Sequence, residues 1–130
     1  MEKPILIWSD DFLCGNKTVD NAHKNIISKA AELRQFIAEP ERDISKMTQL
    51  VDEITQLILT HMETEIDLLK EADSPDWPEH ELDHQKYKEK FDLKKNYSLS
   101  AIMRVLMVDD MVRDYMENHF VKFDLKDLSN

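Results

Sequence analysis

His61-Met62-Glu63-Thr64-Glu65 and, past a proline-rich break, Glu79-His80-Glu81-Leu82-Asp83-His84 decide the fold. Each half carries two metal-ligand residue types spaced i, i+4. On a helix that spacing sets both side chains on one face. His80 and His84 can hold one ion between them, and His61 and Glu65 can present an imidazole and a carboxylate to the same place. Ser74-Pro75-Asp76-Trp77-Pro78 separates the two stretches, so they read as consecutive helices and not as one.

Working outward, the upstream residues Met47, Leu50, Val51, Ile54, Leu57, Ile58, His61, Glu65 and Leu68 form one helical stripe, with Asp43 as its cap. Before it, His23, Ile26, Ile27, Ala30, Leu33 and Ile37 line another, capped by Thr18 or Asp20 and ended at Glu39-Pro40-Glu41. Downstream, Asp76 and Glu79 resemble a capping box, and the third helix carries His80, His84, Tyr87 and Phe91. After the polar Lys94-Lys95-Asn96-Tyr97, Ser98 caps a fourth helix that runs through Ile102, Val105, Val112, Tyr115 and Met116 to His119. The predicted layout is one domain, 1–130. It has an arm over 1–17 anchored by Trp8 and Phe12, helices over about 19–38, 44–70, 77–94 and 99–119, and a tail over 120–130. The single glycine, Gly15, argues against a turn-rich β fold. Short links favour an all-α, antiparallel up-down-up-down four-helix bundle.

That topology tests the metal reading. His23 lies at the start of the first helix, His61 and Glu65 at the end of the second, His80 and His84 at the start of the third, and His119 at the end of the fourth. In an antiparallel bundle those ends coincide, so all five histidines fall in one inward-facing layer, and Asp124 can fold back into it. A lone histidine on an apolar stripe is more often a hydrogen-bonded core residue. Five together, with a carboxylate at Glu65, need a cation to offset their burial. One zinc would use only four such ligands, and magnesium or calcium would draw more oxygen donors.

Composition bounds the rest. The chain has 130 residues, 34% charged, with a formal net charge of −10, which argues against nucleic-acid backbones and anionic membrane surfaces as partners. No apolar run is long enough to span a membrane, and Met1-Glu2-Lys3-Pro4 before Ile5-Leu6-Ile7-Trp8 lacks the shape of a secretory signal. Cys14 is the only cysteine, which suits a reducing cytoplasm and a small buried hydrophobe.

The ligand pattern resembles that of the bacterial hemerythrins. Asp20 to His23 matches D-x-x-H, His61 to Glu65 matches H-x-x-x-E, His80 to His84 matches H-x-x-x-H, and His119 to Asp124 matches H-x-x-x-x-D. Trp8 and Gly15 match as well. The resemblance implies a non-heme di-iron protein that binds dioxygen reversibly, for carriage, storage or delivery, and that is not an enzyme. It implies one iron on His80, His84 and His119 and another on His23 and His61. Glu65 and Asp124 would bridge them beside an oxo or hydroxo group, and dioxygen would take the one open position. It also implies an oxygen pocket lined by Ile26, Met62, Met116 and Phe120. An oxygen or redox sensor with an unidentified protein partner is one alternative, and an enzyme reducing peroxide or nitric oxide is another. Departures from the family surround the ligands: Met62 for phenylalanine, Tyr115 and Met116 for Trp-Leu, and Ala22 for glutamine. Tyr115 brings a phenol either into the pocket or into core packing.

Overall fold

The computed structural model describes residues 12–91 and 100–124, and of residues 120–123 the backbone alone. Helix α1 spans Lys17–Ala38, α2 Ile44–Glu71, α3 Trp77–Lys90 and α4 Ala101–Asp114, and α4 continues into a π-helical segment over Tyr115–Asp124. The described residues contain no strand. Trp8, Ser98, the Lys94–Tyr97 break and the far end of the expected tail lie outside the described residues.

Charge pairs fix the helix directions. Lys29 on α1 meets Glu53 on α2 at 3.2 Å, while His23 meets His61, so the two helices run antiparallel. Arg34 on α1 reaches Asp109 on α4 at 3.1 Å, while His23 reaches Asp124, so these also oppose. The result is an antiparallel four-helix bundle. Its main core runs from Ile37, Met47 and Leu50 at one end to Ile26, Met62, Tyr87, Tyr115 and Met116 beneath the histidine layer. A smaller apolar cluster of Cys14, Val19, Ile66 and Leu69, with Leu68 and Trp77 against it, covers the layer from the other side. The polar residues are thus enclosed between two apolar bodies.

The caps differ in part from expectation. Asn16, not Thr18 or Asp20, caps α1, its Oδ1 accepting from Val19 N–H at 3.2 Å. Asp20 looks backwards: its carboxylate accepts from the amides of Cys14 (2.9 Å) and Gly15 (3.2 Å). Gly15 sits at φ 96°, where a Cβ would clash, so the turn into α1 needs glycine. Asp43 caps α2 as expected. Asp76 makes no side-chain cap bond, because its own backbone is already helical (φ −92°, ψ −6°) and not extended as a capping residue must be. Ser100 caps α4 through Met103 N–H. Helix α3 stops at Lys90, short of 94, where Phe91 leaves helical geometry (φ −87°, ψ 8°) and buries its ring in the core.

Two backbone features deliver the site. After α2, Ser74 N–H bonds to Leu69 carbonyl and Asp73 N–H to Lys70 carbonyl, with Asp73 at φ 52°. This left-handed stop turns the chain back so that α3 starts beside the end of α2. The second feature is the π segment, which corrects the expected helix end at His119. In an α-helix, residues five apart point about 140° away from each other. With i→i+5 bonding they stack along one face. Asp124 therefore belongs to the helix itself, on the same face as His119, and does not fold back from a tail.

Candidate metal centre

All five histidines, Glu65 and Asp124 are buried in one layer. Each imidazole turns Nε2 inward. Asp124 Oδ1 lies 2.9 Å from both His80 Nε2 and His119 Nε2, and its Oδ2 lies 2.9 Å from His23 Nε2. Glu65 Oε1 is 3.2 Å from His61 Nε2 and 3.4 Å from His84 Nε2, and Oε2 is 3.8 Å from His80 Nε2. His23 and His61 bring their Nε2 atoms to 2.8 Å, as do His84 and His119.

These contacts resolve into two donor sets: Glu65, His80, His84, His119 and Asp124 in one, and His23, His61, Glu65 and Asp124 in the other. Within each set the ligand atoms lie within 4.8 Å of one another. Donors about 2.1 Å from one ion and at right angles to each other lie about 3 Å apart, which is close to most of the spacings above. A pair of facing Nε2 atoms can share only one proton, whereas a cation between them uses both lone pairs. The donor chemistry therefore fits a metal in each set, with both carboxylates common to the two.

The electrostatics point the same way. Burial, followed by the charge of His23, lowers the His61 pKa to about 3. Burial, followed by His119 and His80, lowers that of His84 to about 2. Both therefore stay neutral with a lone pair available. For His119 burial acts downwards, but the Asp124 charge and hydrogen bonds to Asp124 and Asp83 outweigh it and raise the pKa. Asp124 is pulled well below the ordinary carboxylate range: burial opposes ionisation, and the contacts with His119, His23 and His80 overcome it.

Of the residues expected in an oxygen pocket, Ile26, Met62, Tyr115 and Met116 are buried together in the core face beneath the layer. The Phe120 side chain lies outside what is described. The Tyr115 ring stacks on His119 with centroids 5.0 Å apart and planes 15° apart. Asp83 is a residue that pattern reasoning missed. Its Oδ2 accepts from His119 Nδ1 at 2.6 Å. Its position between two ligand-type histidines on α3 was the available signal, but its partner lies on another helix.

Comparison with known proteins agrees. The chain is 26% identical over 81 residues to a bacteriohemerythrin of Stenotrophomonas maltophilia (strain R551-3), a match covering 62% of this chain and 52% of that protein. The chain thus spans about half the length of the curated relative it matches. No protein-family model matches the chain, and no solved structure matches it. An all-α bundle that encloses this histidine, glutamate and aspartate cluster, in a chain with that relative, fits the hemerythrin-like family.

Proposed function

We propose that the protein is a di-iron protein that binds dioxygen reversibly. The observation that carries this reading is the pair of donor sets sharing Glu65 and Asp124, one with three imidazoles and one with two. His80, His84 and His119 would hold one ion and His23 and His61 the other, with Glu65 and Asp124 available to both. The second set has one donor fewer, which leaves room for an added ligand. Bound in these sets, two ferrous ions would supply the two electrons that reversible binding of dioxygen requires.

The protein's own part is to position and to enclose. Ile26, Met62 and Met116 on one side and Cys14, Val19, Ile66 and Leu69 on the other keep bulk water from the layer. Every histidine in the chain has its Nε2 committed to the cluster, so no imidazole remains as a general acid or base. This favours binding over turnover. Among the described residues no helix is long and apolar enough to cross a membrane.

The test is metal analysis joined to optical spectra of the reduced protein before and after oxygen, and again after oxygen is removed. Iron uptake with an oxygen-dependent band that reverses is the expected result. Rapid consumption of peroxide or nitric oxide, with no reversible oxygenated form, would overturn the binding reading.

A further inference from the structure

The bundle contains two buried phenols beside each other, and they are treated differently. Tyr87 and Tyr115 pack edge to face, with centroids 5.3 Å apart. Tyr87 directs its hydroxyl to the Asp114 carbonyl at 3.5 Å. Tyr115 is completely buried, and its hydroxyl makes no hydrogen bond among the described residues. A buried hydroxyl without a partner is costly, and folded proteins retain few of them. The Tyr115 ring is held in place by stacking on His119 and by Tyr87, so the hydroxyl direction is set by packing.

Packing places it against the cluster: the ring lies flat on His119, on the core face that also carries Ile26, Met62 and Met116. The hydroxyl bonds to neither Asp124 nor Glu65. It is therefore a phenol O–H at the edge of the cluster with no acceptor among the described residues.

We infer that Tyr115 donates a hydrogen bond to the small ligand admitted at the centre, a molecule such as azide or dioxygen that carries negative charge on its outer atom when bound, and so sets which ligands are retained. This rests on the proposed di-iron site. An apolar wall of Ile26, Met62 and Met116 discriminates by size alone. One fixed O–H beside it adds a preference for ligands that carry negative charge on their outer atom. Tyr115 is thus a specificity-determining residue and not a ligand.

The experiment compares the iron-loaded full-length protein with its Tyr115→Phe variant, using azide as probe. Azide is titrated against the di-ferric form and followed by its charge-transfer absorption, and its stretching frequency is recorded by resonance Raman in light and heavy water. Azide affinity should fall by about tenfold or more in the variant, as loss of a hydrogen bond to a charged acceptor implies. The solvent-isotope shift of the azide stretch should be present in the wild type and absent in the variant. The metal-free variant should melt at or above the wild-type temperature, because it loses a buried hydroxyl that had no partner. Equal azide affinity, or no isotope shift in the wild type, would overturn the inference while leaving the di-iron reading intact. A lower melting temperature of the metal-free variant would also overturn it, since the hydroxyl would then have a structural partner. A wild-type chain that takes up no iron overturns both.

Discussion

Asp83 Oδ2 sits 2.6 Å from His119 Nδ1, on the side of the ring away from the cluster. The contact holds Nδ1 as a donor and so directs Nε2, the nitrogen a metal would take, towards Asp124 and His84. A carboxylate behind a histidine also raises the basicity of the inner nitrogen. Asp83 therefore tunes the three-imidazole set from outside it. Asp83→Ala should lower metal affinity by about 10- to 100-fold with little change in helicity, measured by competition with a chelator. Unchanged affinity would mean that the contact is a surface ion pair and nothing more.

Glu65 tests whether the two donor sets are one unit. Its Oε1 faces His61 of one set and His84 of the other. Glu65→Ala should therefore cause both ions to be lost together and not one after the other. Metal analysis at graded iron concentrations checks this. A variant that keeps two tightly bound ions removes Glu65 from the bridging role.

Metal removal should destabilise the ligand end first. The layer buries five imidazoles and two carboxylates, and an ion that binds only the native state adds stability by linkage. The melting temperature should drop by on the order of 10 °C, taking about 4 kcal/mol of linkage for saturating metal. Amide exchange should rise earliest around His23, His61 and His84, and equal exchange with and without iron would refute this.

The metal-free protein should also be sensitive to acid, with a defined sign. His61 and His84 have native pKa values of about 3 and about 2, below their unfolded value. Between those values and about 6.5 the unfolded chain binds more protons, so stability is lost as pH falls through that window. His119 is raised instead, so its contribution is full below the unfolded value and lost only as pH rises past its native one. The Asp124 contribution is lost only below the ordinary carboxylate range. Between about pH 6 and pH 4 the two lowered histidines therefore dominate, at roughly 1.4 kcal/mol per pH unit for each at most. Thermal melts of the metal-free protein across that range read the slope directly, and a flat profile would count against neutral burial.

Asp20 belongs to the same sequence pattern as the ligands but does different work. It accepts two hydrogen bonds from the turn at Cys14 and Gly15, and stands outside both donor sets. Asp20→Ala should cost about 1–3 kcal/mol by orphaning those amides, with iron content unchanged. Loss of iron at full helicity would instead make Asp20 part of the centre.

The residues that were legible in advance share one property: their geometry is local. His61 with Glu65, and His80 with His84, needed only an α-helical period, and antiparallel packing then brought His23 and His119 to the same level. Asp124 was legible as a residue but not as a position. Nothing in Tyr115–Asp124 announces a change from i→i+4 to i→i+5 bonding, and without that change His119 and Asp124 face different ways. The Asp83 contact was hidden for a related reason, since it joins two helices whose relative rotation no periodicity specifies. Capping failed where several candidates stood together: Asn16, Thr18 and Asp20 all suit the role, and the chain uses Asn16 for it while Asp20 braces the turn before it.

The widened turn over Tyr115–Asp124 is equivalent to one residue added to an ordinary helix. Removing one residue between His119 and Asp124 would let the segment relax to ordinary helix, with better backbone bonding and an undisturbed core. The carboxylate would then stand four residues after His119, and an ordinary helix would still set both on one face. One residue lost from that stretch would thus make the backbone more regular while the two side chains still face together. One residue gained in a helix with that four-residue spacing is, by the same step, a route to the widened segment over Tyr115–Asp124, which keeps the two side chains together across five residues.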